Sequence, residues 1–154
     1  MDSTSSPLDP QAIAEHVRTG MLANDRATQG LGIAVTSIAP GQATLEMTVR
    51  ADMLNGFDIC HGGFITTLAD SAFAFSCNAR NEMTVASGLS IDFLAPARGG
   101  DRLTAEAREV SLAGRTGVYD VSVRNQRGEA IAVFRGRSYC LKGKTTVPLA
   151  AADH

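Results

Sequence analysis

HGGFITTLADSAFAFSCNA, residues 61–79, is the stretch from which the fold is read. Wound at 3.6 residues per turn, it carries apolar or small side chains on nearly every side, the pattern of a helix buried over most of its surface. Asp70 is the only charged residue between His61 and Arg80. An acid at that place, and the shortness of the apolar run, argue against a membrane span. Burying a carboxylate is costly unless it is hydrogen-bonded or paired. Two readings stay open: an acid held by a strand arginine or exposed at a gap in the sheet, or a base or nucleophile beside a cleft.

Working outward, residues 42–50 alternate, with Ala43, Leu45, Met47 and Val49 on one side and polar residues on the other, as in a half-buried strand. Residues 32–38 form a strand before the Pro40-Gly41 turn. Residues 51–60 are an irregular loop. Four extended segments follow the helix, at 83–95, 102–112, 116–126 and 129–141, with turns at Gly99-Gly100-Asp101, Gly114-Arg115 and Arg127-Gly128. Asp9-Pro10 starts a first helix that ends near Asn24. The order is helix, hairpin, long buried helix and a four-strand meander. This is an α+β layout, an antiparallel sheet wrapped around one central helix. A single domain is expected over 9–143, with frayed tails at 1–8 and 144–154.

His61-Gly62-Gly63 opens the long helix. The first N–H groups of a helix have no partner within it, and without a Cβ they can approach a substrate oxygen and stabilise an oxyanion. The same glycines would equally serve a tight turn. Asp70 lies about 12 Å further along the axis, whereas a reacting carbonyl needs the nucleophile and the oxyanion donor each about 3 Å away. One helix therefore cannot supply both, but two antiparallel copies can. If both features act on one substrate, the site belongs to a two-fold dimer.

Composition sets bounds on partners. Hydrophobic residues are 44% of the 154, enough for a packed core, and the net charge of −2 provides no basic excess for nucleic acid. MDSTSSPLDP at the start has neither a basic nor an apolar signal region. Cys60, Cys77 and Cys140 are an odd, scattered set, suited to a reducing cytoplasm. Cys60 and His61 are adjacent, so their side chains diverge and do not make a nucleophile–base pair. His16, His61 and His154 have no metal-ligand spacing with the cysteines.

The run NGFDICHGGFITTLADSAFAFSCNAR (55–80), with SIDFLAP (90–96), GDRLTAEA (100–107), GRTGVYDVSVRNQ (114–126) and AVFRGRSY (132–139), resembles the phenylacetic-acid-degradation thioesterases, a hotdog-fold family. The resemblance covers about residues 10–143. It implies hydrolysis of aryl-acyl-CoA thioesters without a metal or redox cofactor, coenzyme A being part of the substrate. It also implies dimers joined through a continuous sheet and paired into a homotetramer. Matched position by position, Asp70 is the catalytic carboxylate, Gly62 supplies the N–H for the thioester oxygen, Asn55 positions the nucleophile or water, and His61 orients the loop or carbonyl. Arg115, Thr116 and Gly117 resemble a CoA-facing turn. Arg137, with Arg135, Lys142 and Lys144, offers further cations near the last strand. Met53, Leu54, Phe57, Phe64 and Phe73 are candidates for the acyl pocket. Medium-chain acyl groups and a non-catalytic acyl-CoA sensor are the competing readings. A dehydratase is less well served, because the helix offers an acid without a histidine partner.

Overall fold

The computed structural model describes residues 8–149. Asp9 caps helix α1 (Pro10–Asn24) by accepting from the Ala12 N–H at 2.8 Å, and Pro10 fills the first turn where no donor is needed. A five-residue helix, α2 (Arg26–Gly30), follows. It has no counterpart in the sequence reading, because one turn is too short to show a helical period. Asp25 caps it, accepting from the Thr28 N–H at 3.0 Å and the Thr28 hydroxyl at 2.6 Å.

Strands β1 (Ala34–Ala39) and β2 (Gln42–Thr48) make the expected hairpin, and a 3-10 turn at Ala51–Met53 leads into the loop. Helix α3 (Gly62–Asn78) is the long helix, and β3 (Thr84–Phe93), β4 (Arg102–Ala113), β5 (Thr116–Arg124) and β6 (Ala130–Cys140) complete the sheet. All pairings are antiparallel, in the order β1-β2-β4-β5-β6-β3. This is the hotdog arrangement predicted, with α3 lying against the sheet.

The four-strand meander needs correction. Only β4, β5 and β6 run as neighbours in sequence order; β3 pairs with β6 and forms an edge, while β4 pairs with β2. The reason lies in the connector 94–101, which returns the chain across one end of the sheet. Leu94 N–H bonds to Ile131 O at 2.8 Å, Ala97 O accepts from Cys60 N–H at 2.7 Å, and Asp101 O accepts from Val49 N–H at 2.8 Å.

The register puts Ala43, Ala107, Val121, Phe134 and Ile91 in one row across five strands, all on the side facing α3. Phe73 of α3 meets this layer, its ring 5.5 Å from that of Tyr119 and 5.9 Å from that of Phe134. Gly136 makes the contact possible, since a Cβ there would lie 2.8 Å from the Phe73 ring.

The expected C-terminal tail also begins later than 144. Residues 144–149 dock: Asn81 donates to Val147 O at 2.9 Å and accepts from Val147 N–H at 2.8 Å, Thr146 Oγ1 donates to Asn78 at 2.7 Å, and Pro148 O lies 3.0 Å from His16 Nε2. Buried asparagines need partners, and this segment supplies them through the Val147 backbone and the Thr146 hydroxyl. The rest of both predicted tails, 1–7 and 150–154, lies outside the described residues.

Candidate active site

The entry to α3 is held from three sides. His61 N–H bonds to Met53 O at 2.8 Å, Cys60 N–H bonds to the connector, and the His61 ring caps the helix, its Nδ1 accepting from Gly63 N–H at 3.1 Å. Nδ1 is thus engaged within the helix cap. The His61 ring meets Phe64 edge-on at 6.3 Å. Asn55 organises the preceding turn, its Oδ1 accepting from Phe57 N–H at 2.9 Å and Ile59 N–H at 3.4 Å. That turn holds Asp58 at φ 58° and leaves Phe57 at its tip 85% exposed.

Gly62 is the first residue of α3, and its N–H has no acceptor among the described residues. The ring of Phe93, at the end of β3, lies against it: a Cβ at Gly62 would come within 2.8 Å of Phe93 Cζ. A side chain at position 62 would displace the half-exposed Phe93 ring, and glycine leaves the N–H uncovered by a Cβ.

Asp70 is half-buried on α3, and among the described residues it has neither a hydrogen bond nor an ion pair. Arg80, the nearest arginine along the helix, is bound to Glu109 at 2.7 Å. Burial, reinforced by the negative charge of Asp25, pushes the Asp70 carboxyl above the ordinary carboxylate range. Asp25 is tied to α3 through Thr28, whose hydroxyl lies 3.3 Å from that of Ser71.

Asn55, His61 and Gly62 thus gather at one end of α3, with Asp70 about 12 Å further on. Arg115 and Thr116 sit at the opposite end. Thr116 pairs with Tyr139, which on its other side pairs with Val85, next to Thr84, whose N–H is bonded to Asn78 at the finish of α3. Gly117 turns into the core, where the Ser138 hydroxyl and the Tyr119 ring fill the space a Cβ would need. Arg137 stands on the outer face of β6, over Gly88. Of the acyl-pocket candidates, Met53 and Phe73 are fully buried core residues, whereas Phe64 is partly buried and accessible. Phe64 and Thr67 of α3 join Ala27 and Leu31 in lining a cavity of about 720 Å³ that reaches His61 and Gly63.

The sequence matches the thioesterase superfamily over residues 57–132. It is 45% identical over 126 residues to the acyl-coenzyme A thioesterase PaaI of Escherichia coli K12, a match covering 82% of this chain and 90% of the relative. A putative esterase of Archaeoglobus fulgidus is 35% identical over 127 residues, with 82% of each chain covered. The structure of the E. coli PaaI protein from the phenylacetic acid degradation operon superimposes with a TM-score of 0.86 at 42% identity, covering 89% of this chain and 99% of that one. The chain belongs to the PaaI-type thioesterases of the hotdog superfamily.

Around this PaaI-type site, sequence reasoning missed three residues: Asp25, Thr28 and Phe93. Asp25 carries a legible signal, since aspartate is a preferred helix cap, but the helix it caps is too short to notice. Phe93 carries none, because only the pairing of β3 with β6 turns its ring toward Gly62. Among the described residues no three His, Cys, Asp or Glu side chains group as a metal site, and no helix is long and apolar enough to cross a membrane.

Proposed function

We propose that this PaaI-type chain hydrolyses aryl-acyl-CoA thioesters of the phenylacetyl-CoA class to the free acid and coenzyme A. The observation that carries the reading is a half-buried acid without a counter-charge, on the helix whose first N–H points free. The acyl class is supported by the phenylacetic-acid setting of the E. coli relative.

In this reading the Gly62 N–H of one copy polarises the thioester carbonyl, and Asp70 of a second copy attacks it or takes a proton from a water that does. The tetrahedral oxyanion collapses with loss of the CoA thiolate; after direct attack, water then cleaves the acyl–Asp70 anhydride, and in either route the proton taken from water passes to the thiolate. A thiolate leaves readily, so the step needs no strong general acid. Water and thioester account for every atom of acid and thiol, so no metal or redox group is required. His61 and Asn55 hold the loop that aims the donor.

A second copy joined along β3 would provide this sharing. β3 is an edge strand whose Leu89 and Phe93 face the helix side and are 38% and 52% exposed, and an unpaired apolar edge invites a second strand. Antiparallel pairing there would bring the finish of one α3 beside the start of the other. The Arg115-Thr116 turn of the second copy would then lie toward the CoA phosphates, and two such dimers would make the tetramer. We assign the protein to a reducing cytoplasm, in keeping with its three buried free thiols.

The test is hydrolysis of phenylacetyl-CoA followed by thiol release. Asp70→Asn is expected to lower turnover by about 10²–10⁴-fold while CoA still binds. Near-normal turnover by Asp70→Asn would remove this acid from the chemistry.

A further inference from the structure

Helix α2 has two faces. Its Thr28 side is fully buried; the Thr28 hydroxyl donates to the Asp25 carboxylate at 2.6 Å and lies 3.3 Å from the Ser71 hydroxyl in the middle of α3. Its other side, Ala27 with the following Leu31, is turned toward Phe64 and Thr67 and bounds the cavity of about 720 Å³. That cavity runs up to Gly63 and His61, where the thioester carbonyl would sit. Its walls are mainly apolar, and Arg26 stands at the rim. In a single chain this is a wide-open cleft with space of the order a small-molecule ligand takes, and the Thr28 contacts hold one of its walls in place.

We propose that the α2–α3 cleft receives the apolar acyl group of the substrate, and that Ala27 and Leu31 determine which acyl groups fit. The inference rests on the thioesterase reading and adds to it a specificity element outside the α3 motif. It commits to the acyl group as occupant, because the cleft is continuous with the start of α3 and has one cation at its rim, too few for a nucleotide diphosphate. Specificity would then reside in a five-residue helix that the catalytic sequence does not include, so acyl preference can change while the reacting groups stay in place.

The experiment compares kcat/KM for phenylacetyl-CoA, octanoyl-CoA and acetyl-CoA in the wild type, Ala27→Trp, which fills the cleft, and Leu31→Ala, which widens it. Native mass is measured alongside, with inhibition by free CoA as a control. Ala27→Trp is expected to depress phenylacetyl and octanoyl turnover, relative to acetyl turnover, by tenfold or more, about what a filled apolar pocket is worth. Leu31→Ala should shift preference toward octanoyl-CoA, and neither variant should change CoA inhibition. An equal loss for all three thioesters with weakened CoA inhibition would make the cleft a pantetheine channel and overturn the proposal. Loss of the dimer in Ala27→Trp would place a segment of the second copy there, with the same consequence. Unchanged ratios in both variants would remove α2 from the site. A wild type that cleaves none of the thioesters would refute the thioesterase reading itself, and this proposal would fall with it; the other outcomes leave that reading standing.

Discussion

In the proposed reaction Asp70 is the reacting acid, and its burial also costs the fold stability. Its folded-state pKa lies above the unfolded value, because burial and Asp25 both disfavour the ionised form. The native chain therefore holds that proton to higher pH than the unfolded chain. Stability from this group is full below the ordinary carboxylate range and is lost as pH rises through the raised native value. Asp70→Asn should accordingly raise Tm at pH 7 while removing activity; an unchanged or lower Tm would contradict the burial argument. The same shift places the acid limb of the kcat profile above the usual carboxylate range, where the base must be ionised to act. Asp25→Asn removes the neighbouring charge and should move that limb to lower pH, with kcat on the plateau little changed. A limb that stays in place would show that Asp25 does not influence Asp70.

At the scale of elements, legibility followed pattern length. Seventeen residues of apolar helix interrupted by one acid, and strands alternating over seven to eleven residues, are readable because each position repeats the message of its neighbours. Single-turn α2 repeats nothing. The position of β3 at the sheet edge depends on which strand it meets, and adjacency in sequence suggested β4 when the partner was β6. Gly117 read as part of a surface turn, yet its hydrogen faces Ser138 and Tyr119 in the core. The terminal segment 144–149 read as frayed, yet its Val147 backbone and Thr146 hydroxyl are the partners that the buried Asn81 and Asn78 take. This makes the segment a structural strap. Asn81→Ala leaves the Val147 backbone without its two partners and puts alanine at φ 63°, so it should cost about 1–3 kcal/mol in urea unfolding. A loss well under 1 kcal/mol would mean the strap contributes little. Gly136→Ala should be comparably damaging, at about 1–3 kcal/mol, because three Phe73 ring atoms lie within 2.9 Å of the added methyl.

For the whole molecule, the groups proposed to act together are separated by the length of α3. One chain puts the free Gly62 N–H at the start of the helix, the acid two turns along it, and the Arg115 turn at the far end of the sheet. A two-fold through the β3 edge is the simplest operation that reunites them. Leu89→Lys on that edge should convert the assembly to single chains by native mass and abolish turnover together with dimerisation; full activity in a single chain would refute the shared site. The most direct test mixes two inactive chains. Asp70→Ala lacks the acid. Gly62→Pro lacks the donor but keeps a residue suited to the first helical position, and His61 already has the extended backbone that precedes proline. A mixed dimer carries one intact site, so hydrolysis of phenylacetyl-CoA should return toward half the wild-type rate per dimer. Mixed dimers verified by mass that remain as inactive as either parent would contradict the account.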